Sequence, residues 1–427
     1  MCHTNSGEAW AARVNLTELL ARSRSFKSGT RLNVTCITSD QFATTVIIFL
    51  IHLPCSLDSS SSRTLRLIAE AVYRERLRQV DAASSLWNSG GELHLSHDYL
   101  SVRCEVEVPH DYVTHSLAAL LEVLSTPVSA AEVEASRDLL RRQPPRPSDR
   151  LRYALQGALF PDEPRLARPP GDRDIIRSRE VARIISDAKV SLVGVGAFTP
   201  DEIKAVGLDL EDCAPRLPRV RTEFRSLPDP TGPRMYTVAA SSGEQQSRLL
   251  AAVRLPGPTD AEWPCTMLVQ ALLGSGTSGR VNTALRDLYT TSYGANVGLA
   301  FLGNNSALVT EIRFDWSASE AVSRALHAGL YSSDMFSYWV EFGRDAALSQ
   351  FEMLAYLPGR IADAVANAID RTGSADCLAS LPSSLAEVSE GDVQQYCSRY
   401  LIPSRVLIGI ESDARRPQLP GMSQSSS

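Results

Sequence analysis

The chain has 427 residues, of which 44% are hydrophobic and 22% charged, which is ordinary globular composition with length for two or three domains. A formal net charge of −6 argues against a nucleic-acid partner, because phosphate recognition shows itself as a clustered basic face. The 8 cysteines contain no Cys-x-x-Cys pair, so neither a disulfide framework nor a zinc knuckle is indicated and a reducing or neutral compartment fits best.

The N-terminal residues lack the apolar core of a secretory signal; Arg13, Arg22 and Arg24 give a faint transit-peptide character that Glu8 and Glu18 spoil. Leu32, Val34 and Cys36 then alternate with Asn33 and Thr35 as a strand, followed by the apolar run Val46 to Leu53. That run is far shorter than the roughly 20 residues needed to cross a bilayer, so it reads as a buried strand and any membrane association runs through partners. Leu65, Ile68, Ala69 and Val72 recur at helical spacing. Strands follow over about 92–108, where Leu100, Val102, Cys104, Val106 and Val108 alternate with polar residues, the pattern of a sheet with one buried face. Helices are expected around Leu117 to Leu124, over 130–142, near 148–158 and near 177–187, then a strand at 190–196. Thr199-Pro-Asp-Glu202 supplies a capping hydroxyl, proline at the first helical position and acids in the first turn.

After a proline-rich stretch the pattern starts again. Val46-Ile-Ile-Phe-Leu-Ile-His-Leu-Pro54 is echoed by Arg248-Leu-Leu-Ala-Ala-Val-Arg-Leu-Pro256, Leu100 to Val108 by Leu308 to Phe314, and Ser191-Leu-Val-Gly-Val-Gly196 by Arg405-Val-Leu-Ile-Gly409. A period of about 200 residues is a duplicated domain, since solenoid units repeat at roughly 20–50. The second half adds long helical patterns at 317–330, 335–354 and 359–370. The order of elements predicts an α+β fold of two homologous halves, each a mostly antiparallel sheet with helices packed on one face, joined by a Pro-rich linker. The expected divisions are 26–210, a linker at 211–236, 237–412 and a disordered tail at 413–427, with a groove between the halves.

Trp87-Asn-Ser-Gly-Gly-Glu-Leu-His94, Ser191-Leu-Val-Gly-Val-Gly-Ala197 and Leu272-Leu-Gly-Ser-Gly-Thr-Ser-Gly-Arg280, in this order and spacing, resemble the pitrilysin/insulinase-type zinc peptidases. The resembling branch is the one that holds the mitochondrial processing peptidase and the core proteins of respiratory complex III, most like core protein 2, and the resemblance spans about Phe26 to Glu411. Active members carry His-x-x-Glu-His on a first-half helix: two imidazoles on one helical face bind Zn²⁺, and the Glu between them deprotonates the metal-bound water. At the matching place this chain reads Leu67-Ile-Ala-Glu70-Ala71, and Gln143 falls where the third, carboxylate, ligand is expected. Leucine and alanine have no lone pairs for zinc, and an amide is a poor substitute for a carboxylate. Glu70 is therefore expected to be a solvated helix residue, with no metal, cofactor or catalytic residue.

The other histidines rebuild no site, because His94 and His97 fall on opposite faces of a strand and His3, His52, His110, His115 and His327 are isolated in sequence. No Ser-His-Asp arrangement stands out. Gly274 to Gly279 lacks the Lys and Ser/Thr of a phosphate-binding loop, having Arg280 and Val281 instead, and reads as a plain helix-to-helix turn. The resemblance implies a non-catalytic structural core subunit of ubiquinol-cytochrome c oxidoreductase on the matrix side of the mitochondrial inner membrane. Its implied partners are a homologous core subunit and the membrane subunits, cytochromes included. The alternative is the non-catalytic, presequence-binding alpha subunit of the processing peptidase, whose mark is an extended glycine-rich loop.

Overall fold

The computed structural model describes residues 15–29, 31–53, 59–79, 90–97, 101–142, 151, 155–160, 177–197, 199–208, 211–212, 234–239, 246–288, 294–302, 305–331 and 337–412. Among the described residues the strands form two sheets, the first containing β1 (Arg24–Ser28), β2 (Leu32–Thr38), β3 (Thr44–His52), β4 (Glu92–His97), β5 (Ser101–Pro109), β6 (Lys189–Gly196) and a short β7 (Glu211–Asp212), in the order β4-β5-β3-β6-β2-β1-β7. The second contains β8 (Arg234–Ala239), β9 (Ser247–Leu255), β10 (Ala295–Leu302), β11 (Asn305–Phe314) and β12 (Leu407–Ser412), in the order β10-β11-β9-β12-β8. Five strands of one sheet correspond in order and direction to five of the other: an edge hairpin, a central strand, a late-returning strand and its parallel neighbour. β6 runs parallel to β2 as β12 does to β8, and the other neighbouring pairs are antiparallel. Two unrelated sheets have no reason to share these crossovers, so the repeat seen in the sequence has a topological counterpart.

The junction is shorter than its proline content suggests. Lys27 and Phe26 of β1 pair with Glu211 and Asp212, and β8 begins at Arg234, so both ends of the expected 211–236 linker belong to sheets. The remainder of that stretch, like the 413–427 tail, lies outside the described residues.

Helices of the first half are α1 (Leu16–Ala21), α2 (Ser59–Gln79), α3 (Val113–Ser125), α4 (Ala130–Arg141), α5 (Ser178–Ser186) and α6 (Pro200–Ala205). Those of the second are α7 (Trp263–Gly274), α8 (Arg280–Leu288), α9 (Ser319–Tyr331), α10 (Ser337–Leu354), α11 (Pro358–Thr372), α12 (Asp376–Ala379), α13 (Leu381–Glu387) and α14 (Glu390–Tyr400). Thr199 caps α6 as its sequence predicts, its hydroxyl accepting from the Glu202 amide while the Glu202 carboxylate accepts from the Thr199 amide. Ser129 with Glu132, and Ser389 with Asp392, start α4 and α14 in the same way.

Helices cover both faces of the first sheet, where the sequence pattern suggested one. On one face Ile47, Phe49 and Ile51 pack with Ile68, Val72 and Leu117 of the same half. On the other, Val46, Ile48, Leu50, Val193 and Val195 share a core with Ile361, Ala362, Val365 and Ile369 of α11, a second-half helix. The exchange is mutual. Leu151, Leu155, Leu159 and Phe160, from the first half, pack on Leu250, Ala252, Ala307 and Leu407 of the second sheet. β3 is uniformly apolar from Val46 to Ile51 for this reason: a strand buried on both faces loses the alternation that β5 keeps.

Candidate functional site

α2 puts Leu67, Glu70 and Ala71 on the side of the helix that borders β4. Leu67 is half-buried, Ala71 is 7% exposed and Glu70 is 8% exposed. The expectation that Glu70 is solvated is therefore corrected: its carboxylate accepts from the Arg74 guanidinium one helical turn on and contacts His97 Nδ1. The reason lies in β4, whose Leu93, Leu95 and His97 face α2 while His94 points away beside Glu92, at 3.6 Å. A buried carboxylate is costly unless paired, and here a cation and an imidazole provide the pairing. Gln143 lies outside the described residues.

This donor set does not fit zinc. Leu67 and Ala71 offer only carbon, and the remaining carboxylate already holds a guanidinium whose charge would repel a dication. Among the described residues no group of three or more His, Cys, Asp or Glu side chains is arranged as a metal cluster.

The glycine-containing segment is a tight turn between α7 and α8, closed by a 3-10 turn at Gly276–Ser278. Two of its glycines are there for contact. A Cβ on Gly274 would sit 2.7 Å from Val297 Cβ, and one on Gly279 would sit 2.7 Å from the Leu273 carbonyl. The Asn282 amide donates to the Gly276 and Ala295 carbonyls, at 2.6 and 3.0 Å, and binds the turn to the second sheet.

His52, isolated in sequence, stands at the centre of a polar cluster joining the halves. Its Nε2 is 2.8 Å from Ser191 Oγ and its Nδ1 is 3.1 Å from Asp370 Oδ1 of α11, while Ser101 Oγ donates to Asp370 Oδ2 at 3.0 Å. Beside it the Arg103 guanidinium reaches both Asp363 of α11 and Glu105. A serine, a histidine and an aspartate thus stand in relay order, but Ser191 is 2% exposed beneath α11, where no substrate carbonyl could reach it. The arrangement is a fastening of α11 to β3, β5 and β6, and no sequence signal pointed to it. For Glu70 a signal existed, the Glu-to-Arg spacing of one turn on α2; for His97 there was none.

No single helix among the described residues is long and apolar enough to cross a membrane. The bent pair His110–Ser125 with Ala130–Arg141 passes that test by length and composition, but its Val113, Leu117, Leu120 and Val133 are buried in the first-half core.

No protein-family model matches the sequence, and no curated protein matches it. Solved structures do match in fold. A protease from Helicobacter pylori aligns with a TM-score of 0.71 at 12% identity, over 91% of this chain and 99% of that one. The peptidase M16 inactive domain from Pseudomonas fluorescens aligns with a TM-score of 0.70 at 12% identity, over 95% and 100%. A chain of Complex III2 from Candida albicans aligns with a TM-score of 0.69 at 11% identity, over 91% and 96%. The chain therefore has the M16-like fold of two α+β units, shared by proteins described as a protease and as an inactive domain.

Proposed function

We propose that this chain is a non-catalytic member of the pitrilysin-like group serving as a structural core subunit of ubiquinol-cytochrome c oxidoreductase, on the matrix side of the mitochondrial inner membrane. What supports the reading is an M16-like architecture together with an α2 on which Leu67 and Ala71, matched by sequence to the imidazole positions, offer no metal donor, while Glu70 is bound to Arg74 and His97. The similarity in fold to a chain of Complex III2 supports the assignment to that assembly. In this role the surfaces matter and the site does not. A homologous core subunit is the expected direct partner, with membrane attachment through the cytochrome-bearing subunits. The presequence-binding alternative draws less support, because the turn at 274–279 is packed down by Asn282 and close glycine contacts and offers no extended loop.

The test is to solubilise membranes gently and identify what co-purifies with the chain, with metal analysis of the same material. Co-migration with a haem-containing complex and no stoichiometric zinc are expected. A chain that sediments free of haem proteins, or that carries one tightly held zinc, overturns the proposal.

A further inference from the structure

The second sheet carries a cavity of about 230 Å³ on the face that residues 155–160 cover, roofed by Leu155, Leu159 and Phe160 and floored by Ala252, Ala307 and Gly298. Small floor residues create the space: a Cβ built on Gly298 meets nothing within 4 Å. The polar groups gather on Gln156, Asn296, Arg248 and Glu311. Asn296 is exposed and belongs to the edge strand β10, so the cavity opens there.

The charges at this end are paired with one another. Arg248 donates to both Glu311 oxygens, from Nε at 2.8 Å and Nη2 at 3.0 Å, and its Nη1 lies 3.9 Å from Glu411. Arg313 lies 3.7 Å from Glu311, so two guanidinium groups face two carboxylates. An ionic ligand would have to break a two-point, partly buried ion pair, which is expensive. The side-chain amides of Gln156 and Asn296, by contrast, hydrogen-bond to no protein group among the described residues. They offer a donor and an acceptor to an uncharged head group.

From the size, the apolar walls and the neutral polar end we infer that this cavity is a binding site for a small uncharged amphiphile: an apolar body, aromatic or branched, bearing one hydroxyl or amide. An apolar cavity of about 150 Å³ accepts benzene, so this one accommodates a body of roughly six to nine carbon atoms. The head group lies between Asn296 and Gln156. The site is separate from the α2 region and does not depend on the role proposed above.

The full chain, alone or in its complex, is titrated calorimetrically with 4-ethylphenol and with 4-ethylbenzoate, which has the same body and a charged head. Saturable one-to-one binding of the phenol and none of the benzoate is expected. Gly298→Leu, which puts a side chain into the open space, abolishes binding while thermal unfolding stays cooperative. Asn296→Ala, at an exposed position, weakens it about fivefold, the size of one hydrogen bond. No saturable binding of the phenol, equal binding of the benzoate, or unchanged affinity in Gly298→Leu each overturns the inference.

Discussion

Each half of this molecule lends a helical segment to the other's sheet, and the two loans are unequal. α11 lies on β3 and β6 with Ile361, Ala362, Val365 and Ala366 all at 0–1% exposure, and polar contacts from His52, Ser101 and Arg103 flank it. Residues 155–160 lie on β9, β11 and β12 and leave about 230 Å³ unfilled. The sheets share a strand order, so topology does not account for the difference. Side-chain size does: Ile48 and Leu50 face α11 on β3, whereas Leu250 and Ala252 face the opposing segment on β9, with Ala307 beside them. The lesson is that a duplicated fold keeps its crossings while its contact surfaces diverge, one toward a sealed joint and one toward a pocket.

The comparison breaks most readily on truncation. Ile361→Ala should cost about 3 kcal/mol in chemical denaturation, because Ile361 is 1% exposed in a filled joint, whereas Leu155→Ala, beside existing free volume, should cost closer to about 2 kcal/mol. Equal losses would mean that the two joints are packed alike.

Removing the carboxylate from the polar fastening is expected to matter nearly as much. Asp370→Ala removes the acceptor of the Ser101 hydroxyl and the Nδ1 partner of His52, with an expected loss of about 2 kcal/mol. His52→Ala combined with Asp370→Ala should cost less than the two single losses together, a non-additivity of about 1 kcal/mol that a double-mutant cycle reads directly. Strict additivity would remove His52 and Asp370 from a common cluster.

Filling separates the joints by sign. Ala366→Val on α11, at 0% exposure, overpacks and destabilises by about 1–2 kcal/mol, while Ala252→Val on the cavity floor stabilises by about 0.5 kcal/mol. Differential scanning calorimetry of the two variants checks both directions.

The smallest effect concerns a contact within one half. Arg76 bonding to Glu132, assisted by Ser129, holds the Glu132 carboxyl down at about 2. A carboxylate whose folded value is depressed contributes stability above the ordinary glutamate range and loses it as pH falls toward that lower value. Glu132 is partly exposed, so solvent screening limits its contribution to about 0.5–1 kcal/mol. The pH dependence of unfolding between about 4.5 and 2 should flatten in Glu132→Gln. An unchanged slope would show that the Arg76 pairing contributes nothing measurable.

Much of the architecture was legible in the residues. β5 announced itself by alternation, α11 by Ile361, Val365 and Ile369 at helical spacing, and the repeat by Val46 to Pro54 against Arg248 to Pro256. Periodicity reports that a face is buried; it does not report what covers it. For that reason the fully apolar β3 showed its burial without showing that a helix more than three hundred positions later supplies one wall. At Leu67 and Ala71 only the side-chain chemistry was legible, since neither a leucine nor an alanine offers a donor to a metal. Glu70 was misread because a single acid on a helix resembles surface until β4 brings His97 against it. His52 with Asp370 had no local signal, because the contact exists only through the long-range docking of α11.

The crossed packing of α11 has a consequence for synthesis. Ser101 and its bonding partner Asp370 are 269 residues apart, a stretch that takes a ribosome roughly 13–54 s at about 5–20 residues per second. Throughout that interval the nascent N-terminal sheet presents Val46, Ile48 and Leu50 to the cytosol or to whatever shields it. Until α11 has emerged that face has no helix to cover it, and cutting the gene between its repeats should yield two insoluble products where co-expression of the pieces yields a soluble one.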